Sequence, residues 1–132
     1  MTFVVDASVV VAALLDAGPV GTWAESLVAS GPLAAPHLMP VEAANVLRHA
    51  ALAGDVSADV ASLAHDDLVS LRVELFPYEP FASRVWQLRA NVSAHDAWYV
   101  ALAESLEVGL ATLDPRLSRA SGIRCAFATP PA

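Results

Sequence analysis

The sequence contains no lysine, because all seven of its basic residues are arginines. P-loop nucleotide hydrolases contact phosphate through a lysine, and Schiff-base enzymes form their covalent intermediate on one. Phosphate-receiver domains also depend on a lysine for switching. The absence of this residue type therefore excludes three large function classes.

Cysteine is almost absent as well. The single cysteine, Cys125, excludes an intramolecular disulfide and any metal site built from several cysteines. It lies in the apolar segment 123–127, so we expect a buried thiol there. The chain is compatible with a reducing compartment.

Long apolar runs are missing although the chain is hydrophobic overall, at 56% with a mean hydropathy of +0.52. Asp6 and Asp16 bracket the longest run, which is shorter than the roughly 20 residues that a membrane-spanning helix needs. No basic segment precedes it, so no signal peptide is predicted. We expect a cytoplasmic protein without a membrane partner, whose apolar excess is covered by a core, a subunit interface or a partner.

Positive charge is scarce. The chain has 14 acidic against 7 basic residues, for a net charge of −7. Proteins that hold nucleic acid mainly through their surface charge are basic, so this balance argues against that mode of binding.

Short apolar runs alternate with helical segments, which predicts an α/β sandwich with a mainly parallel sheet. The predicted strands are 3–5, 33–35, 72–76, 108–112 and 125–127. The predicted helices are 8–15, 21–30, 41–53, 58–71, 80–90 and 94–107, with a helical turn at 116–120. We expect one domain over residues 1–132, ending in a frayed tail at 128–132.

Four acidic residues stand at the ends of predicted elements. Asp6 follows the first strand and Asp114 the fourth, where open parallel sheets bind their ligands. Glu42 and Asp96 stand at the starts of helices. All four are embedded in apolar sequence, and burying clustered carboxylates is costly unless a cation neutralises them.

Each of these acids alone is also explained as a helix cap or as a partner of the helix dipole. Four together, each flanked by residues that expect burial, favour a metal site. Nine of the other acids resemble solvated faces and turns: Asp16, Asp55, Asp59, Asp66, Asp67, Glu74, Glu79, Glu104 and Glu107.

The segments that contain the four acids occur in a specific order. They are Phe3-Val4-Val5-Asp6-Ala7-Ser8, Glu42-Ala43-Ala44-Asn45-Val46-Leu47, Asp96-Ala97-Trp98-Tyr99-Val100-Ala101-Leu102-Ala103-Glu104 and Thr112-Leu113-Asp114. In this order and spacing the chain resembles the PIN-domain family over nearly its whole length. It is most similar to the VapC-type toxins of bacterial VapBC toxin–antitoxin modules.

The resemblance implies a PIN-like three-layer α/β/α sandwich. It also implies an Mg²⁺- or Mn²⁺-dependent endoribonuclease toxin of a type II toxin–antitoxin system, typically a homodimer and inhibited by a VapB-type antitoxin. Residue by residue, the family's acids match Asp6, Glu42, Asp96 and the more variable Asp114. The polar residues that support such sites match Ser8, Asn45 and Thr112.

Hard divalent ions prefer oxygen ligands, which four carboxylates supply. Such ions would polarise the scissile phosphate and activate a water. Asp6 and Asp96 are the first choice for direct ligands, with Glu42 and Asp114 acting on a second ion or through water. The cluster is expected to titrate as a coupled group in which repulsion raises some pKa values.

Some side chains near the acids have two interpretations. Arg48 and Arg116 either contact RNA phosphates or pair with the local acids. His95 is more often structural at a helix start. Trp98 and Tyr99 point about 100° apart on their helix, so at least one belongs to the core.

Two other functions account for part of the sequence pattern. A catalytically idle binding module would act through protein partners, with its acids as caps. An aspartyl-phosphate enzyme of the haloacid dehalogenase type also places an aspartate after its first strand, but it needs a second aspartate where this chain has Ser8, and usually a lysine. Helices 9–15 and 41–53, which carry small residues, are candidate faces for a dimer or an antitoxin.

Overall fold

All five strands of the protein pair in parallel within one sheet. A computed structural model describes all 132 residues. The strands are short and apolar, and the central ones are buried on both faces, as a sheet covered by helices on both sides requires. They are β1 (Phe3–Val5), β2 (Leu33–Pro36), β3 (Val73–Phe76), β4 (Gly109–Ala111) and β5 (Phe127–Ala128). Across the sheet they follow the order β3-β2-β1-β4-β5.

Seven α-helices and one 3₁₀ turn connect the strands. The α-helices are α1 (Ala7–Leu15), α2 (Pro19–Val28), α3 (Met39–Leu52), α4 (Ala58–Ser70), α5 (Ala82–Gln87), α6 (Ala94–Leu106) and α7 (Pro115–Ser118). The 3₁₀ turn, Glu79–Phe81, directly precedes α5.

The path of the chain through the sheet creates a point where the strand order reverses. From β1 the chain steps outward to β2 and β3, then returns to place β4 on the other side of β1. Because parallel crossovers are right-handed, the helices before and after this return lie on opposite faces. Accordingly, α1 packs against α2, α3 and α4, whereas α6 packs against α5 and the sheet. The predicted α/β/α sandwich with a parallel sheet is confirmed.

Apolar side chains of both helical layers and the sheet form one core. Val4 and Val5 of β1, Val9 of α1, Leu102 of α6 and Leu110 of β4 are almost completely buried. Buried alanines on the inner faces of the helices let them approach the sheet closely: Ala43, Ala97, Ala101 and Ala103. The alanine-rich composition therefore serves close packing.

Serine caps define the starts of two helices, α4 and α6. The Ser57 hydroxyl accepts a hydrogen bond from Val60 N, and that of Ser93 accepts one from Asp96 N. Ser93 is therefore the N-cap of α6.

The prediction of one helix over 80–90 was wrong. A 3₁₀ turn leads into the short helix α5, which ends at Gln87. Leu88 N bonds to the carbonyls of both Arg84 and Val85, which tightens the last turn. Further turns follow up to Val92, so the helical pattern does not continue. Two other helices begin two residues earlier than predicted, α2 at Pro19 and α3 at Met39.

Two further expectations were wrong. Ala128, assigned to the tail, belongs to β5 because its carbonyl accepts a hydrogen bond from Thr112 N at 3.1 Å. Glu104, assigned to a solvated face, has a side chain only 12% exposed and lies 2.7 Å from the guanidinium of Arg84. Pairing with Arg84 makes the burial of this carboxylate tolerable.

No single helix has the length and apolar content for crossing a bilayer. Only α1 and α2 taken together meet the criterion of length and composition, and they meet at an angle of 113°.

Candidate active site at the carboxyl edge of the sheet

Asp6 lies directly after β1, at the position where the strand order reverses. It is the N-cap of α1, and its Oδ1 accepts a weak hydrogen bond from Ser8 N at 3.5 Å. Its other oxygen, Oδ2, accepts a hydrogen bond from Thr112 Oγ1 at 2.8 Å. Thr112 follows β4 and is fully buried. The first turn of α1 and the residue after β4 thus fix this carboxylate from two sides, at the edge where open parallel sheets bind ligands.

The segment after β4 is tied to the same place. Thr112 Oγ1 also accepts a hydrogen bond from Asp114 N at 3.1 Å, and Ser8 Oγ accepts one from Leu113 N at 3.3 Å. The hydroxyls of Ser8 and Thr112, which were predicted to support the site, therefore contact Asp6 or the backbone of the segment after β4. They hold Asp6 and Asp114 in a defined relative position.

Asp114 also caps the short helix α7. Its Oδ1 accepts a hydrogen bond from Arg116 N at 2.9 Å and lies 3.6 Å from Arg116 Nε. The Arg116 side chain is 88% exposed. Of the two roles considered for Arg116, pairing with a local acid is the one present in this conformation, and the surface ion pair adds little stability.

Asp96 lies in the first turn of α6. Its pKa is raised above the ordinary aspartate range, chiefly by burial and then by the negative charge of Asp6. The hydrogen bond with Ser93 opposes the shift, and the charge of Asp114 adds to it. The charges of Asp6 and Asp114 are therefore close enough to Asp96 to act on it.

Glu42 approaches the site from the opposite helical layer, in the first turn of α3. Together with Asp6, Ser8 and Leu113 it lines a cleft of about 550 Å³ that runs along α1. Asp16 lines this cleft too, but its Oδ1 is occupied by Gly18 N at 2.7 Å. The side-chain hydrogen bond of Glu42 is made with Tyr99, whose hydroxyl donates to Oε1 at 2.6 Å.

Tyr99 is the site neighbour that the sequence did not identify. Its side chain is 2% exposed, so the prediction that Trp98 or Tyr99 belongs to the core is confirmed. Burial, followed by the hydrogen bond to Glu42, raises the pKa of the Tyr99 hydroxyl far above its ordinary value, so it is a neutral donor. The sequence feature that could have identified Tyr99 is its spacing of three residues from Asp96, because this spacing places both side chains on one face of the helix.

Two other predicted residues stand apart. Asn45 and Arg48 are exposed on α3, and neither hydrogen-bonds to the acids. Arg48 lies six residues beyond Glu42, which is roughly 9 Å along the helix and on a different face. Their roles remain predictions.

The capping interpretation holds for part of the cluster. Asp6 and Asp114 do cap helices, whereas Ser93 caps α6 and leaves Asp96 without that role. Glu42 lies within the first turn of α3 and its carboxylate bonds to Tyr99 instead. Capping therefore does not account for Glu42 or Asp96.

A divalent cation fits the chemistry of these donors. No three Asp, Glu, His or Cys side chains converge closely enough to hold one ion together in this conformation. The donors are nevertheless all oxygens, which hard cations prefer. Besides burial, the charges of Asp6 and Asp114 raise the pKa of Asp96, while the hydrogen bond with Ser93 and the charge of His95 oppose the shift. A cation would relieve that repulsion.

Comparison with known proteins gives a consistent result. The PIN domain family matches residues 3–123. Ribonuclease VapC1 of Mycobacterium tuberculosis is 41% identical over 123 residues, which are 92% of each chain. PAE2754 from Pyrobaculum aerophilum has a similar fold, with a TM-score of 0.73 at 24% identity over 96% of this chain and 83% of that one. VapBC2 from Rickettsia felis, solved bound to a DNA fragment from its promoter, gives a TM-score of 0.68 at 12% identity over 99% and 100% of the two chains.

Proposed function

The chain belongs to the PIN-domain family as a ribonuclease toxin of the VapC type, and we propose that its active site is the carboxylate cluster of Asp6, Glu42, Asp96 and Asp114. One observation carries this assignment: Thr112 fixes Asp6 at 2.8 Å at the point where the strand order reverses, and there the charge of Asp6 adds to burial in raising the pKa of Asp96. Enzymes of this kind are generally metal-dependent. We assign Mg²⁺ as the ion, with Mn²⁺ as a substitute.

Each acid has its own role in the proposal. Asp6 and Asp96 are the direct ligands, because they are close enough for their charges to interact and a cation relieves that repulsion. Glu42, on the other wall of the cleft, and Asp114, already bonded to Arg116 N, act on a second ion or through water. The bound metal supplies charge stabilisation at the scissile phosphate and lowers the pKa of the attacking water.

The acidity of the protein is consistent with RNA as substrate. Two divalent ions would change the net charge from −7 to −3 (−7 + 4). Arg48 and Arg116, both exposed, are proposed to contact RNA phosphates, with Arg116 leaving Asp114 when RNA binds. Ser8, Thr112 and Asn45 are proposed to support the site, the first two through the hydrogen bonds described above.

Partners and setting belong to the same proposal. A VapB-type antitoxin inhibits the protein, which acts as a homodimer in the cytoplasm and consists of one PIN-like domain over residues 1–132. The similarity of fold to a VapBC assembly supports the antitoxin. Exposed apolar side chains on α3 and α4 provide surface for such contacts: Val41, Leu52, Leu63 and Val69.

The test is cleavage of a defined RNA by purified protein after EDTA treatment and return of Mg²⁺ or Mn²⁺. Asp6→Asn is the matched control, because asparagine still caps α1 but loses the charge. We expect cleavage only with the ion and only by the wild type. Equal RNA decay by wild type and Asp6→Asn would reveal a contaminant and favour the idle binding module.

A further inference from the structure

Tyr99 and Glu42 form the only hydrogen bond between α3 and α6. The two helices lie in opposite layers and present their first turns to the carboxyl edge of the sheet. The Tyr99 ring is fixed in the core, and its hydroxyl lies 2.6 Å from Glu42 Oε1. The bond therefore sets where Glu42 stands relative to the helix that carries Asp96.

Glu42 differs from Asp6 and Asp114 in how it is held. Asp6 and Asp114 are N-caps whose carboxylates accept hydrogen bonds from backbone N–H groups, and Asp6 also accepts one from the Thr112 hydroxyl. Glu42 has a longer side chain, and its carboxylate makes no hydrogen bond other than the one from Tyr99. A glutamate that is partly exposed and free of partners samples several rotamers, so this single bond decides its position.

We propose that Tyr99 is a positioning residue for Glu42: its neutral hydroxyl holds the carboxylate on the wall of the cleft that faces Asp6, so that Glu42 takes part in the metal-dependent reaction. The inference rests on the proposed function and names a residue that acts without contacting substrate. Oε1 is occupied by the hydroxyl, and Oε2 keeps no partner within the protein.

Tyr99→Phe removes the hydroxyl and keeps the ring in the core. Groups that orient metal-site carboxylates typically contribute about 10- to 100-fold to metal affinity or activity. We expect a loss of that size in cleavage and in the Mn²⁺ affinity measured by calorimetry, with the KM for RNA unchanged. Tyr78→Phe is the control, since the Tyr78 hydroxyl makes no hydrogen bond and the residue is 40% exposed. It should match the wild type.

Two variants separate positioning from simple stability. In a Glu42→Gln background, Tyr99→Phe should cause no further loss, because the hydroxyl acts through the Glu42 carboxylate. A second loss of the same size in that background would overturn the proposal. So would a Tyr99→Phe protein that binds Mn²⁺ and cleaves RNA as the wild type does.

A measurement on the metal-free protein tests the geometry independently of catalysis. Carbon-13 relaxation of the Glu42 side chain should show greater mobility in Tyr99→Phe than in Tyr78→Phe. Unchanged mobility would overturn the positioning role alone. If the wild type itself neither binds the metal nor cleaves RNA, the proposed function fails, and the role of Tyr99 in it fails too.

Discussion

The Thr112 hydroxyl lies 2.8 Å from Asp6 Oδ2 and donates a hydrogen bond to it, although 106 residues separate the two in the chain. The pairing of β1 with β4 brings them together, because each residue follows its strand directly: Asp6 after Val5, and Thr112 after Ala111. The same hydroxyl accepts a hydrogen bond from Asp114 N. One buried threonine thus connects two of the four acids.

Replacing Thr112 with valine keeps its shape and removes both hydrogen bonds. The loss frees the Asp6 carboxylate and leaves Asp114 N without its acceptor. We expect cleavage to fall about 10- to 100-fold, and the free energy of unfolding to fall by about 1–3 kcal/mol. Single-turnover cleavage and urea unfolding measure the two effects. Thr112→Ser retains the hydroxyl and should restore most of the activity, and a serine variant as inactive as the valine variant would contradict this role.

Asp96→Asn should stabilise the metal-free protein at neutral pH. Burial and the charge of Asp6 raise the pKa of Asp96 in the folded state, so the folded protein holds this proton more tightly than the unfolded chain does. The stabilising effect of that proton is fully present below about pH 4, and is lost as the pH rises through the folded pKa. Denaturation in EDTA, from this pH upward, should show a gap in the free energy of unfolding between Asp96→Asn and the wild type, and the gap should widen as the pH rises. A gap that closes with rising pH would contradict the raised pKa.

Adding a divalent ion should raise the melting temperature of the wild type. At 100 times the dissociation constant, a ligand that binds only the folded state contributes about 2.7 kcal/mol. The shift should be absent in Asp6→Asn and in Asp96→Asn, which each lose a proposed ligand. Differential scanning fluorimetry in Mg²⁺ and in Mn²⁺ provides the comparison. Equal shifts in the wild type and both variants would place metal binding elsewhere.

The Arg84–Glu104 pair should stabilise the fold without affecting catalysis. Burial alone would raise the pKa of Glu104, but hydrogen bonds from Arg84 and from Arg124 N outweigh it, so the pKa is lowered. Arg84 also donates to the Gly122 carbonyl at 2.7 Å, which fastens the C-terminal loop. We expect Glu104→Gln to cost about 2 kcal/mol, measured by urea denaturation at pH 7.

Glu107→Gln is the matched control for that variant, because Glu107 is exposed on the same helix end. A carboxylate whose pKa is lowered in the folded state stabilises the protein at pH values above its ordinary, unfolded-state pKa of about 4.3. That contribution disappears as the pH falls through the lowered pKa of the folded state. The difference between Glu104→Gln and wild type should therefore vanish in acid. A difference independent of pH would contradict the ion pair as its cause.

The sheet and the four acids could be predicted because their signals are local. A short apolar run that ends at Asp6 or at Thr112-Leu113-Asp114 indicates a buried strand and its carboxyl end within a few residues. Parallel pairing then brings those ends to one edge. The structure confirms this for Asp6 and Asp114 through their contacts with Thr112.

Contacts between distant helices could not be predicted in the same way. The Tyr99–Glu42 hydrogen bond depends on how α3 and α6 are placed relative to each other across the edge of the sheet. The periodicity of the sequence does not predict that placement. Glu104 looked solvated because its partner, Arg84, lies 20 residues away on another helix. The end of α5 at Gln87 likewise follows from tertiary context, since the sequence up to Ala90 contains no helix breaker.

Single-turnover RNA cleavage by wild type, Asp6→Asn, Glu42→Gln and Asp96→Asn, each verified as folded by its melting curve, tests the central claim most directly. If the acids form one metal-dependent site, the wild type cleaves only with Mg²⁺ or Mn²⁺. The Asp6 and Asp96 variants then lose activity while remaining as stable as the wild type or more so. Folded Asp6→Asn and Asp96→Asn proteins that cleave at the wild-type rate would contradict the claim.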